Sequence, residues 1–384
     1  MHLYVSVFVA SLGLGTYTYF IPVFAQTLGA SFLDLGFIGA ANALAYALTP
    51  MLVGYMADRM NRAWLFTVAI AINAAATLAL VLANSVGSVL LIRLVGGFGY
   101  GLFWPISEIL VTDLVPADAR VKEMGLYSVA WASGFLIGPV MGGLIIQYLG
   151  FTPLFLISAL LVGLSLLPDL LWLVPRYHQE TLSVQQFSGN ISTIRKLAPW
   201  YLMAACYGVV FGIVVAIFPG YANTVNVDPA MIGFLLTVFG ISRIFTFATS
   251  EWYLKLGEKK ALAAASIVIA IGIAGIGMFP TFQGFMVSMV LVGGCFGVVF
   301  PLVISLISRH FPHDRLGAAV GSYETVYGIG FTLGPLLAGA MAAQSVSLTF
   351  IAMSSFGVLM MVFVLLGRTY PTAPMNGSRA AQPE

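Results

Sequence analysis

The chain has 384 residues, of which 60% are hydrophobic and only 8% are charged. Soluble globular proteins have about 25% charged residues, so this chain has too little charge to cover the surface of a soluble particle of its size. Its net charge of +2 is also too small to indicate nucleic-acid binding. The composition therefore predicts a protein that lies in a lipid bilayer.

Apolar stretches of about 20 residues recur along the chain, and each is long enough to cross about 30 Å of hydrocarbon as a helix. We predict an all-α integral membrane protein with twelve transmembrane helices, at 2–24, 34–57, 63–83, 88–113, 122–147, 152–174, 199–221, 230–254, 261–279, 283–308, 316–342 and 346–367. These predicted helices are called spans 1 to 12 below.

The basic residues predict the orientation of the spans. Fourteen of the 16 Lys and Arg residues lie in the even-numbered connections or in the C-terminal tail, and the odd-numbered connections contain none. The other two, Arg93 and Arg243, lie inside spans. Because cytoplasmic loops have an excess of Lys and Arg, we expect both termini to be cytoplasmic, in a multi-pass protein of the inner or plasma membrane.

The second half of the chain repeats the first. At an offset of 196 residues, glycines and prolines of spans 4 and 5 coincide with those of spans 10 and 11. Near the start the offset is 197, as for Pro22 and Pro219. Parallel repeats of this kind are typical of transporters whose halves rock about a central site. We predict two pseudo-symmetric six-helix bundles with a cytoplasmic linker and tail, divided as 1–174, 175–198 (linker), 199–367 and 368–384 (tail).

The connection between spans 2 and 3 contains Gly54-Tyr-Met-Ala-Asp58-Arg59-Met-Asn61-Arg62. It resembles the loop signature of the major facilitator superfamily, Gly-x-x-x-Asp-Arg-x-Gly-Arg, with Asn61 in place of the last glycine. The resemblance covers essentially the whole chain. It implies the fold of that superfamily and secondary transport by alternating access.

Four residues of this segment and an aspartate at the foot of span 4 form a set that we call the cytoplasmic latch: Gly54, Asp58, Arg59, Arg62 and Asp113. Glycine allows two helices to approach closely, and an aspartate can lie at the positive end of a neighbouring helix. One of the two arginines can pair with the aspartate at the foot of span 4. We expect the set to hold the two halves together; the alternative is a solvated charged turn that only sets topology.

Span 5 contains Gly134-x-x-x-Gly138-Pro139-x-x-Gly142-Gly143, and span 11 contains a partial copy with Gly334 and Pro335. This pattern resembles the signature of the antiporter branches of the superfamily, above all the drug/proton exporters. Glycines four residues apart form a smooth face for helix contact, and proline bends a helix because it has no amide donor. The motif favours an antiporter, or it forms only a generic helix contact.

Span 4 has a chemical stripe, because Arg93, Tyr100, Trp104 and Glu108 fall on one face of a helix. A charge inside a bilayer is costly, so such residues should face a wet cavity or a partner. Asp169, near the end of span 6, is expected to reach the membrane interface. The candidate substrate and proton pathway comprises Tyr17, Arg93, Tyr100, Trp104, Glu108, Trp131, Tyr207, Arg243, Tyr323, Glu324 and Tyr327.

Two of these residues are acids inside helices, and we expect Glu108 or Glu324 to carry a proton. Glu108 is slightly preferred because it shares a helix face with Trp104 and Tyr100, where substrate and proton could compete. Arg93 is 15 residues from Glu108, about 22 Å along a helix, and is therefore too far to neutralise it directly. The alternative role of these charged residues is a structural ion pair.

The sequence has no metalloprotease, serine-hydrolase or phosphate-loop motif. We therefore predict no enzyme activity, no cofactor, no metal site and no ATP-driven transport. The expected function is proton-coupled efflux of an amphipathic or hydrophobic compound. The alternatives are an importer of a sugar or an organic anion, with Arg93 or Arg243 binding a carboxylate, and a receptor that does not transport. The expected partners are a small-molecule substrate, protons and lipid, without nucleic acid, and the chain is expected to be a monomer.

Overall fold

The structure is a computed structural model and describes residues 2–116, 119–177, 191–249, 252–253, 255–308 and 316–367. At some positions inside these ranges, including Gly54 and Asp58, only the backbone is described. Within the described part, twelve helices are long and apolar enough to cross a membrane, as predicted. They are α1 (His2–Thr27), α2 (Phe32–Arg59), α3 (Arg62–Leu82), α4 (Val86–Leu114), α5 (Arg120–Leu149), α6 (Phe151–Arg176), α7 (Ile191–Ala216, continued by Phe218–Thr224), α8 (Pro229–Ala248), α9 (Glu258–Met278), α10 (Phe282–Ser308), α11 (Leu316–Ala342) and α12 (Val346–Leu366).

The helices form two six-helix bundles with the same internal packing. In the first bundle α1 packs against α5 and α6, and α2 packs against α4. In the second bundle α7 packs against α11 and α12, and α8 packs against α10. The two bundles meet where α2 contacts α11 and where α5 contacts α8. Helix α7 begins at Ile191, inside the predicted linker, whereas residues 178–190 and the predicted tail lie outside the described part.

Proline interrupts the helices that begin each bundle. Helix α1 is broken between Thr18 and Ile21, and Pro22 lies in the first turn of the segment that follows. Helix α7 is broken at Ile217, and Pro219 lies in the first turn of the segment that follows. Proline has no amide hydrogen and favours the first turn of a helix. The repeated prolines therefore give the two bundles the same break at the same place.

The prediction that Asp169 reaches the membrane interface is wrong. This side chain is fully buried, and its carboxyl group lies beside the Ser6 hydroxyl of α1. Asp169 begins a π-helical turn, Asp169–Leu173, directly after Pro168. That turn packs against α1 and α3, so it points the aspartate into the first bundle. A π-turn changes the direction of a side chain relative to a regular α-helix, and span hydrophobicity does not reveal it.

The two bundles also contact each other at one end, where α1 leads into α2 and α7 leads into α8; we call this the charge-poor end. The Gln26 side-chain amide donates a hydrogen bond to the Gly220 carbonyl oxygen at 3.1 Å. The Asn223 amide donates to Gln26 Oε1 at 3.0 Å. Gln26 and Asn223 are 197 positions apart and are therefore counterparts in the repeat. Two equivalent side chains thus bridge the bundles at this end.

We expect Gln26→Ala to loosen the charge-poor end. The change removes two hydrogen bonds, each worth about 0.5–1.5 kcal/mol, which together shift a conformational equilibrium severalfold or more. Leu35 lies beside Gly220 and is 1% exposed. A cysteine placed at Leu35, in a chain without Cys206 and Cys295, should react faster with a polar thiol reagent when Gln26 is alanine. Gln283→Ala, a substitution at an exposed glutamine, is the control and should leave the labelling rate unchanged. Equal rates in the Gln26 and Gln283 variants would show that the amide bridge does not hold this end closed.

Candidate functional site

Aromatic rings line the predicted face of α4. The ring centroids of Tyr100 and Trp104 are 5.6 Å apart, and those of Trp104 and Trp131 are 5.7 Å apart. Phe135 of α5 completes the group, with centroids 6.5 Å from Tyr100 and 6.1 Å from Trp104. Each pair has an edge or tilted geometry, as aromatic pairs prefer. The predicted residues of α4 and α5 therefore form one continuous ring surface.

Arg93 lies near the charge-poor half of α4, beside tyrosine hydroxyl groups. It interacts electrostatically with Tyr17 and Tyr100. Tyr17 itself is 2% exposed and packs edge-on against Phe155 of α6. Arg93 forms no ion pair with any residue that the structure describes. The structure thus groups Arg93 with two tyrosines, within the first bundle.

The two acids of the predicted pathway face each other across the two bundles. Glu108 on α4 is exposed, and Glu324 on α11 is half-buried. The two carboxyl groups are close enough to interact electrostatically. Neither forms an ion pair with a described cation. One acid from each bundle therefore lies in the same region of the molecule.

The second bundle supplies a stack of tyrosines and Arg243. The rings of Tyr323 and Tyr327 are stacked with centroids 6.3 Å apart, and Tyr327 lies 5.6 Å from Tyr207. The guanidinium carbon of Arg243 lies 6.0 Å from the centroid of the Phe211 ring. Arg243 interacts electrostatically with these tyrosines and with Glu324. All the pathway residues predicted in the second bundle therefore belong to one cluster.

Two tyrosines of the site were missed by the sequence analysis. Tyr46 on α2 interacts electrostatically with Glu324, Tyr100 and Glu108, and Tyr19 on α1 interacts with Arg243. Tyr46 therefore lies near the acids of both bundles, in the middle of the site. The repeat contained a signal for it, because Tyr46 lies 197 positions before Arg243 and is its counterpart. No such signal marks Tyr19.

The arginine and aspartate of the cytoplasmic latch form a buried ion pair. Arg62 Nη1 lies 2.9 Å and 3.1 Å from the two carboxylate oxygens of Asp113, and the side chains are 6% and 14% exposed. The Tyr177 hydroxyl donates to Asp113 Oδ2 at 2.5 Å, and Arg62 Nε donates to the Ala57 carbonyl oxygen. Burial, and then the hydrogen bond to Asp113, raise the pKa of Tyr177. Sequence reasoning had no signal for Tyr177.

These contacts join α2, α3, α4 and the residue after α6, so they lie within the first bundle. The expectation that this pair holds the two halves together therefore needs correction: Arg62 and Asp113 fasten the helices of one bundle. Arg59 at the end of α2 is exposed. Gly54 and Asp58 lie outside the part of the chain whose side chains are described, so their predicted contact with a neighbouring helix stays a prediction.

We expect Asp113→Asn to destabilise the folded protein more than Tyr177→Phe. Removing the carboxylate breaks the buried ion pair with Arg62, which costs about 3–5 kcal/mol. Tyr177→Phe removes one hydrogen bond to a charged group, worth about 1.5–3 kcal/mol. Thermal unfolding of the purified protein in detergent measures both. The double variant Arg62→Gln/Asp113→Asn should recover part of the loss; no recovery would mean that the ion pair is not the source of the effect.

Comparison with known proteins agrees with this architecture. The sequence matches the family description Major Facilitator Superfamily over residues 3–221 and 200–383. It is 24% identical over 349 residues to the quinolone resistance protein NorA of Staphylococcus aureus (strain MRSA252), covering 88% of each chain.

Solved transporters show the same fold. The nucleoside transporter NupG superposes with a TM-score of 0.79 at 14% identity, covering 96% of this chain and 98% of the other. A bacterial homolog of the human lysosomal transporter Spinster, in an inward-facing and occupied conformation, superposes with a TM-score of 0.79 at 16% identity, covering 96% of each chain. The sequence match extends over both bundles, and the chain therefore belongs to the Major Facilitator Superfamily of membrane transporters.

Proposed function

We propose that this transporter exports a small amphipathic compound with aromatic surface and that export is coupled to protons. The observation that supports this most directly is the pair Glu108 and Glu324, one acid from each bundle, close enough to interact electrostatically. Carboxyl groups inside a membrane protein mark proton and substrate pathways. Because the two acids are on different bundles, relative movement of the bundles would change the distance between the two carboxyl groups and their affinity for a proton.

The aromatic surface supports the proposed substrate. Tyr100, Trp104 and Trp131 form a continuous ring surface on the first bundle, and Tyr207 and Tyr327 form part of a second one on the other bundle. Rings bind apolar and aromatic compounds over a large area. The likeness to NorA, whose name refers to quinolone resistance, agrees with an exported aromatic compound.

The bundles 1–174 and 199–367 would move as two bodies about the linker 175–198, as a monomer with both termini in the cytoplasm. The one-sided placement of Lys and Arg supports this orientation. The amide bridge of Gln26 and Asn223 closes the charge-poor end, and Glu108 is exposed. Both observations fit a conformation that opens toward the cytoplasm and is closed on the outside.

Transport by purified protein in liposomes tests this proposal. We expect an imposed pH gradient to drive a fluorescent quinolone against its concentration gradient, and a proton ionophore to abolish that movement. Uptake of the quinolone at the same rate with and without the pH gradient would contradict proton coupling. Protein that transports neither the quinolone nor other aromatic compounds would contradict the proposed substrate class.

A further inference from the structure

The guanidinium group of Arg243 lies inside the second bundle and has no anionic partner among the described residues. No carboxylate oxygen of a described residue lies within 4.0 Å of its nitrogens, although Glu324 is near enough to interact with it electrostatically. Its Nε is buried and has no hydrogen-bond partner among the described residues. A charge in such a place is costly unless something pairs with it. Arg243 therefore has an unused capacity to bind an anion.

Aromatic rings surround this guanidinium group. Its central carbon lies 5.6 Å from the centroid of Phe247, 5.9 Å from that of Phe300 and 6.0 Å from that of Phe211. Rings attract a cation through their faces and stabilise it in part. They do not supply acceptors for the five N–H donors of an arginine, which form a planar fork. The rings thus fix the position of Arg243 and leave its hydrogen bonds to another group.

Two buried tyrosine hydroxyls beside Arg243 are also without partners. Tyr207 is 1% exposed and Tyr323 is fully buried, and neither hydroxyl has a hydrogen-bond partner among the described residues. Both interact electrostatically with Arg243. Buried polar groups are almost always hydrogen-bonded. The Arg243 Nε and the two hydroxyls, all without a hydrogen-bond partner among the described residues, therefore form a site for a group with several acceptor oxygens.

We propose that Arg243, Tyr207 and Tyr323 bind the anionic group of an aromatic substrate, whose ring lies against the neighbouring phenylalanines. The inference rests on the proposed function and narrows its substrate class to aromatic compounds with a carboxylate or similar oxyanion. A carboxylate accepts two parallel hydrogen bonds from an arginine, which is a strong and directional contact. The ring of such a ligand fits the aromatic surroundings of this site.

Three probes with the same ring and different charge test the inference: 1-naphthoate, 1-naphthamide and 1-naphthylmethylammonium. Their affinities for the purified full-length protein are measured by quenching of tryptophan fluorescence. We expect naphthoate to bind about tenfold or more tightly than naphthamide, because a hydrogen-bonded charge pair distinguishes them. The ammonium compound should bind most weakly, because it repels Arg243.

The variants assign this preference to the site. Arg243→Gln should reduce the preference for naphthoate over naphthamide to near unity, and Arg243→Lys should restore part of it, since lysine keeps the charge but not the fork. Tyr323→Phe should weaken naphthoate binding severalfold and leave naphthamide binding unchanged. Tyr221→Phe is the control. It removes a hydroxyl of the same bundle that lies away from Arg243 and shares a hydrogen bond with the Ser347 hydroxyl. It should leave all three affinities unchanged.

Two results would overturn the anion site: equal binding of the three probes to the unaltered protein, or a preference for naphthoate that survives in Arg243→Gln. Transport of a quinolone under a pH gradient is measured in the same preparations. If that transport persists while the charge preference is absent, the anion site is wrong and the proposed export function stands. A charge preference that depends on Arg243, without proton-driven transport, would support the site and refute the proposed coupling.

Discussion

Replacing either acid of the central pair, as Glu108→Gln or Glu324→Gln, is expected to reduce proton-driven transport to the level of empty liposomes. Glutamine has the shape of a protonated glutamate but cannot release a proton. If the two carboxyl groups share the task of binding and releasing protons as the bundles move, each must be able to ionise. Substrate binding without a pH gradient should persist in both variants, because the aromatic surface is unchanged.

The measurement is proton-driven counterflow in liposomes, together with substrate binding at several pH values. Glu123→Gln is a matched control, because Glu123 lies at the start of α5 and accepts a hydrogen bond from the Tyr4 hydroxyl at 2.5 Å. Glu123 belongs to the same bundle as Glu108 but lies outside the aromatic site, so its replacement should leave the coupling of transport to protons intact. Full coupling in both the Glu108 and the Glu324 variants would mean that neither acid carries the proton, and a proton-independent carrier would then be the better hypothesis.

The sequence predicted features that repeat along the chain. The twelve spans follow from the length of apolar runs, and the stripe of Tyr100 and Trp104 follows from helical periodicity; the structure shows the spans and places these rings in contact. Gly134, Gly138 and Gly143 of span 5 recur at a constant offset as Gly330, Gly334 and Gly339 of span 11, and all six lie at close helix contacts. Local patterns of this kind depend on one helix at a time, so one sequence is enough to find them.

Contacts between distant helices were not predictable in the same way. Tyr46 lies close enough to Glu324 of the other bundle to interact electrostatically, and the Tyr177 hydroxyl donates a hydrogen bond to Asp113. Each pair depends on how helices are rotated and stacked, which periodicity does not determine. The loop motif left open whether Arg59 or Arg62 pairs with Asp113, because two arginines three residues apart can both reach; the structure pairs Arg62. The buried Asp169 was mispredicted because its direction depends on a π-helical turn.

The second large effect is expected at Gly142, in the glycine motif of α5. A Cβ atom at this position would lie 1.9 Å from the carbonyl oxygen of Thr16 on α1. Backbone cannot move aside as a flexible side chain can, so the two helices would have to separate. Overpacking in a core costs about 1–3 kcal/mol and occasionally more, and this obstruction is more severe than most. We expect Gly142→Ala to cost about 3 kcal/mol or more, and Gly142→Val to yield no folded protein.

Gly125→Ala is the matched control, because it makes the same change on the same helix where no described atom lies within 4 Å. Alanine is the better helix former by about 0.5–1 kcal/mol, so this variant should be as stable as the unaltered protein or more so. In the other bundle, Gly330 is the counterpart of Gly134 and is equally crowded, because its Cβ would lie 1.9 Å from the Ala205 carbonyl oxygen; Gly330→Ala should resemble Gly142→Ala. Thermal unfolding in detergent compares the variants. Equal stability of Gly142→Ala and Gly125→Ala would show that α1 and α5 can separate at no cost. Since α1 holds Tyr17 against Arg93, a displaced α1 should weaken substrate binding together with the fold.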